Sequence, residues 1–350
     1  MTSISMKHLL TAALLMLSLT AAVAEDDWTS LPPLPDSEGF AGVFAGVSGG
    51  TLMVAGGTNF PDKRPWDGGT KVWYDAIYAL EKPEGPWMKI GQLPRPNGYG
   101  VSVTTDDSLI CVGGGDATEN FRDVFRLCYV GGKITTQSLP PLPKACAFMS
   151  GVAMEGILYV VGGIEKPTAT EALKTLWALD LKQTDQGWCE LPPCPGPARI
   201  LATMAAHEGT LFLMSGAALK SGVDGKPERE WLKDAWRFQP NHGWKKIADL
   251  PRVAVAAPSP APVVDGHLLI LGGDDGALAH FEPKEKHPGF PREILSYHPG
   301  SDSWGGMGEL PFSLVTTPTV SWRGQILIPG GEARPGKRSP TVWWGRISPP

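Results

Sequence analysis

The chain has 350 residues and a formal net charge of −5 at pH 7, with 31 Lys and Arg against 36 Asp and Glu. It has no basic stretch, which argues against a nucleic-acid partner, because that affinity rests on neutralising phosphates. Its 43 glycines, 34 prolines and 13 tryptophans provide many turns and many large aromatic anchors, the composition of an all-β protein.

The first segment, "MTSISMKHLLTAALLMLSLTAAVAEDD", places Lys7 before a short apolar stretch (Leu9 to Val23) and ends it with the small residues Ala22-Val23-Ala24. This pattern predicts a secretory signal peptide over residues 1–24, cleaved after Ala24. A membrane anchor would need a longer stretch, about 20 apolar residues. The mature chain is therefore expected to be soluble, with no membrane partner, and periplasmic or secreted. Five cysteines (Cys111, Cys128, Cys146, Cys189 and Cys194) follow no zinc-binding spacing. Cys189 and Cys194 are the nearest pair for a bridge, but most of the five read as buried small hydrophobes.

From Asp26 the chain repeats. "DDWTSLPPLP" (Asp26 to Pro35) opens with a tryptophan followed by Leu-Pro, and the same marker returns at Trp87/Leu93, Trp188/Leu191, Trp244/Leu250 and Trp304/Leu310. "SLPPLP" (Ser138 to Pro143) fills the missing slot without its tryptophan. Out of phase with this marker, apolar runs end in Gly-Gly: "LMVAGG", "LICVGG", "LYVVGG", "LLILGG" and "ILIPGG", with "LFLMSG" as a degenerate sixth. Their glycine pairs begin at 56, 113, 162, 215, 272 and 330, a spacing near 50 residues that matches the kelch class of β-propeller. Third-strand candidates such as "DAIYAL", "TLWALDL" and "DAWRF" lie between the markers. The chain starts on a Trp strand and ends one strand short of a full unit. We therefore expect residues 25–350 to form one six-bladed propeller, with residues 25–36 closing the last blade.

Strands of a blade alternate in direction, so the loops after the Gly-Gly strands and after the Trp strands share one face of the disc. That face collects "GEARPGKRSP" with Glu332, Arg334 and Arg338, "LPRPNGYG" with Arg95 and Tyr99, "PGPARI" with Arg199, and "LPRVAVAAP" with Arg252. Two long loops of the same kind, residues 58–75 with Asn59 and residues 274–293 with Asp274, Asp275, His287 and Arg292, are expected to wall a pocket. Several arginines at the mouth of a narrow channel favour an anionic ligand, because a guanidinium pairs with a carboxylate in a two-pronged fork.

On these residues the chain resembles the bacterial N-acetylneuraminate epimerases, the sialic acid mutarotases. "GEARPGKRSP" is similar to their Gly-Glu-x-(Lys/Arg)-Pro-Gly-x-Arg segment, and "GFAGVFAGVSGGTLMVAGG" (Gly39 to Gly57) and "LPRPNGYGVSV" also resemble stretches of them. The Glu-Arg segment stands at the end of this chain rather than mid-chain, as in the cyclically permuted mutarotase branch. Opening a ring of repeats at a different point permits such a rearrangement.

The resemblance implies an isomerase that interconverts the α and β anomers of N-acetylneuraminate or a related sugar acid. Glu332 would be the proton-accepting residue and Arg338 the essential arginine. Arg199, Arg334, Arg95, Tyr99, Asn59 and Arg292 are the further substrate-binding candidates. The reaction opens a hemiketal and recloses it by proton transfers without a change of oxidation state, so no metal and no other cofactor is expected. A non-catalytic kelch propeller that binds a glycan or a protein is the alternative. A sialidase would show Asp-box repeats, which "SDSWGG" (Ser301 to Gly306) fits poorly. A copper radical oxidase would need a cysteine, tyrosine and histidine set at strand ends, and none stands out.

Overall fold

A computed structural model describes residues 27–223 and 225–348 of the chain, so the expected signal peptide lies outside the described residues. Six four-stranded antiparallel sheets follow one another as the blades of a propeller. Blade one is typical. An inner strand (Phe44–Ser48) pairs with a Gly-Gly strand (Thr51–Ala55), then an aromatic strand (Ala76–Leu80) and an outer Trp strand (Met88–Gln92). The last blade takes its inner three strands (Val320–Trp322, Gln325–Pro329 and Val342–Arg346) from the C-terminal end and its outer strand (Asp27–Leu31) from the N-terminal end. Trp28 stands opposite Gly345 in that pairing. The expected closure of the ring is therefore present.

Each Gly-Gly strand is apolar at nearly every position because both of its faces are buried. In blade one, Leu52 and Val54 pack toward blade six with Trp322 and Leu327, while Met53 and Ala55 pack toward blade two with Leu109 and Cys111. Successive side chains of a strand point to opposite faces, so one strand serves two interblade cores. The tryptophan markers join the same neighbours at the rim. The indole N–H groups of Trp87, Trp188, Trp244 and Trp304 donate to the carbonyls of Pro32, Pro140, Pro192 and Ala248, each on the preceding blade, at 2.7–2.9 Å. This contact explains why tryptophan and Leu-Pro recur together in the sequence. Cys111, Cys146 and Cys194 are buried, and all five cysteines are free thiols.

At the centre the backbone closes a second ring. The N–H of Tyr99 donates to the carbonyl of Gly42, Phe148 to Tyr99, Leu201 to Phe148, Ala256 to Leu201, Thr316 to Ala256, and Gly42 back to Thr316, all at 2.8–3.0 Å. All six residues have positive φ, between 54° and 67°, although only Gly42 is a glycine. Left-handed backbone at five side-chain-bearing residues is unfavourable in isolation. Here it belongs to a ring that also satisfies the amides and carbonyls lining the axis. Below it runs a channel of about 80 Å³, on the scale of a few waters. Above it the fold opens into a larger pocket.

Candidate functional site

The residue just before each ring residue forms a single bridge to the residue just after the glycine pair of the same blade. The bridges are Ala41–Thr58, Gly98–Gly115, Ala147–Ile164, Ile200–Ala217, Val255–Asp274 and Val315–Glu332. These six positions crown the channel, and two adjacent blades place carboxylates there, Asp274 and Glu332. The glycine pair before Glu332 has φ of 65° and 109°, and a Cβ on Gly331 would press on the Val315 carbonyl at 3.0 Å. In the degenerate blade Ser215 takes the left-handed place of the first glycine. Its hydroxyl donates to the Leu232 carbonyl and accepts from the Ala254 N–H, both at 2.9 Å.

"GEARPGKRSP" folds as a tight hairpin, Glu332–Arg334 paired with Lys337–Arg338, in which Glu332 stands opposite Arg338. The hairpin thus accounts for the six-residue spacing of the two charges. Gly336 makes the turn with φ 75°, where a Cβ would overlap Pro65 at 2.6 Å, and its N–H donates to Glu332 Oε1 at 2.6 Å. Arg338 Nη1 lies 2.7 Å from the same oxygen. Arg338 is 4% exposed, and its guanidinium sits over the Phe60 ring at 5.0 Å and donates from Nη2 to the Tyr99 hydroxyl at 3.4 Å. Burial opposes its charge, but Glu332 and Tyr99 together outweigh that and raise its pKa above the usual arginine value. The ion pair is close without being aligned as a hydrogen bond, so the N–H groups of Nε and Nη1 have no acceptor among the described residues.

The pocket has a volume of about 330 Å³. Tyr99, Phe148, Leu201, Ala256 and Thr316 of the central ring form its floor, and Glu332, Arg338, Asp274, Lys71 and Arg229 bring charge to its walls. Lys71 comes from the long loop of blade one. Its Nζ lies 5.1 Å from the centroid of Tyr99, 5.6 Å from Trp73 and 5.9 Å from Phe60. Arg229 comes from the hairpin strand Pro227–Trp231 of blade four. Neither cation has a carboxylate at ion-pair distance among the described residues. The wall therefore presents three cations and two carboxylates. Phe290 and Asp274 represent the 274–293 loop, so both long loops do contribute walls.

Of the eight catalytic and substrate-binding candidates read from sequence, Glu332, Arg338 and Tyr99 meet in this pocket, where Asp274 of the long loop joins them, and the other five lie elsewhere. Arg199 is 2% exposed and bonds Asp234 at 2.7 Å, the Ser215 carbonyl at 2.9 Å and the Pro197 carbonyl at 3.1 Å. It secures the left-handed turn of blade four, as Asn97 does for Gly113 and Arg252 for Gly272. Asn59 is fully buried and donates to Asp36 and Gly39 while accepting from Tyr74. Arg95 pairs with Asp123 and lies over the Phe121 ring, and Arg292 pairs with Glu309 at the surface. Arg334 lies beside the pocket, in a crevice with His287 and Lys337. His287 is buried between Phe281 and Phe290, its Nδ1 accepts from the Gly289 N–H, and burial lowers its pKa. It braces the long loop. Sequence reasoning missed Lys71 and Arg229, whose only signal was their place in insertions after Gly-Gly strands.

The chain is similar to known proteins in sequence and in fold. The family model for N-acetylneuraminate epimerase matches residues 9–136, a segment that contains Lys71 and Tyr99 but not the 332–338 hairpin. The N-acetylneuraminate epimerase of Yersinia enterocolitica is 24% identical over 234 residues, covering 59% of this chain and 57% of that protein. Those of Haemophilus influenzae and Salmonella enteritidis are 33% identical over 125 residues and 39% identical over 101 residues. These matches cover 31% and 25% of this chain, and 33% and 26% of those proteins. The chain thus aligns with little more than half of the first relative and about a third or less of the other two. A solved structure described as "Structure of YjhT" superposes with a TM-score of 0.65 at 18% identity, over 88% of this chain and 95% of that one. The resemblance read from the sequence is therefore supported by independent matches: this chain is related to the N-acetylneuraminate epimerases and shares its propeller fold with YjhT.

Proposed function

We propose that this protein is a mutarotase that interconverts the α and β anomers of N-acetylneuraminate or a closely related sugar acid by general acid–base catalysis. One observation carries the reading. A buried arginine with unmatched N–H donors stands beside a carboxylate at the mouth of a propeller, in a pocket that two further cations face. A sugar acid with its carboxylate on the anomeric carbon suits that arrangement. The guanidinium of Arg338 grips the carboxylate through its unmatched donors, and Lys71 and Arg229 add positive potential. Glu332 then takes the proton of the anomeric hydroxyl as the ring carbon–oxygen bond breaks and the ring oxygen is protonated. The open-chain keto acid rotates and recloses on the other face by the reverse transfers. Assistance of this kind is worth about 10²–10⁴-fold. The epimerase names of the relatives agree with it.

The same reading places the protein outside the cytoplasm, in the periplasm or secreted, on the signal-like pattern of residues 1–24. To test the activity, crystalline N-acetylneuraminate is dissolved in buffer with and without the protein, and the approach to anomeric equilibrium is followed by NMR. Acceleration proportional to protein concentration supports the reading. A rate equal to that of buffer across a panel of sugar acids excludes it and leaves a binding propeller.

A further inference from the structure

We propose that Asp274 is the second proton-transfer residue of the pocket, the acid that serves the ring oxygen while Glu332 serves the anomeric hydroxyl; this rests on the mutarotase reading. The reaction needs two transfers at two oxygens of one carbon, and Glu332 is committed on one side. Its Oε1 already takes the Gly336 N–H and faces Arg338. Among the six equivalent positions at the crown, the other four hold Thr58, Gly115, Ile164 and Ala217, and Asp274 alone offers another carboxyl group. It lies on the neighbouring blade and lines the same cavity as Glu332 and Arg338.

The surroundings of Asp274 suit a proton donor. From its own loop the Gly276 N–H donates to Oδ1 at 2.9 Å, and Asp275 and His287 lie nearby. From the neighbouring hairpin comes Arg229, and Glu332, Arg338 and Lys71 line the same cavity. Burial pushes the Asp274 carboxyl above its usual range, with the Gly276 N–H and Arg229 working against it. A carboxyl shifted toward the working pH is a better general acid than an exposed aspartate. In the ring-opening step Glu332 accepts the hydroxyl proton, the ring carbon–oxygen bond breaks with its electron pair going to the ring oxygen, and that oxygen takes the Asp274 proton. Glu332 ends protonated and Asp274 ends as the anion. Reclosure on the other face returns both protons, so nothing is consumed.

The test is anomer exchange by NMR over a range of pH for the wild-type protein, Asp274→Asn and Asp274→Glu, with thermal melts as a fold control. Asp274→Asn should lower kcat about 10²–10⁴-fold with KM changed little. It should also lose the fall in rate at rising pH that deprotonation of the acid causes, and Asp274→Glu should restore part of the rate. If Asp274→Asn does not fold, formate rescue of a folded Asp274→Ala decides the matter, because a missing proton donor can be replaced and a missing brace cannot. An active wild type with Asp274→Asn within threefold of it, or with KM alone raised and the pH profile unchanged, overturns the proposal and leaves the mutarotase reading intact. A wild type without activity overturns the mutarotase reading itself.

Discussion

Glu332 and Arg338 face each other across the two-stranded hairpin that links the second and third strands of the last blade, Oε1 to Nη1 at 2.7 Å, and Tyr99 joins them from two blades away in the ring. The contact joins Arg338 to a residue 239 positions earlier in the sequence, and it sets a carboxylate beside a buried guanidinium at the mouth of the pocket.

Arg338→Lys keeps a positive charge opposite Glu332 but loses the planar fork. Charge-assisted hydrogen bonds contribute about 1.5–3 kcal/mol, so kcat/KM for the sugar acid should fall about 10–10²-fold. Steady-state rates of anomer exchange check this. A variant equal to wild type would show that the guanidinium geometry is not used.

Lys71→Gln should raise KM severalfold and leave kcat close to wild type, because Lys71 faces the pocket without an ion-pair partner among the described residues. Its attraction is partly exposed to solvent and therefore screened by salt. The difference in KM between the two proteins should shrink as ionic strength rises.

Arg199→Ala should cost stability rather than chemistry. It strips a buried partner from Asp234, which retains 16% of its side-chain exposure, and a half-broken buried pair costs about 3–5 kcal/mol. Urea unfolding should register that loss, while kcat per folded molecule should stay within a factor of about two.

Asp302 links blades four and five. Its Oδ1 accepts the Ala248 N–H and the Tyr297 hydroxyl, both at 2.8 Å, and the Ala248 hydrogen bond holds the carboxyl below its usual range. The folded pKa thus lies below the unfolded value of about 3.9. The stabilisation is present above that unfolded value and is lost as pH falls through the folded one. Asp302→Asn should flatten the acid limb of a stability profile followed by tryptophan fluorescence.

The architecture was legible because repetition is a property of composition and spacing alone. The Gly-Gly strands, the Trp strands and the unmatched ends already specify six blades and their closure. The Glu332–Arg338 segment was legible as a charged loop of the mouth because its charges crowd into seven residues after a Gly-Gly strand, but its pairing as a hairpin was not. The other arginines misled for a physical reason. Arg199 and Arg252 do lie in loops of the mouth face, yet their guanidinium groups satisfy carbonyls left unpaired by left-handed turns. A sequence shows that a residue is near a turn but not which orphan carbonyl claims it. Lys71 and Arg229 reach the pocket by the folding of long insertions, and no local pattern announces that.

The most direct measurement is two-dimensional exchange NMR on N-acetylneuraminate at anomeric equilibrium, which reads the forward and reverse rates in one sample. Wild-type protein should raise both rates equally, and Glu332→Gln should return them toward buffer by about 10²–10⁴-fold with the fold intact. A Glu332→Gln protein that exchanges the anomers as fast as wild type would contradict the account.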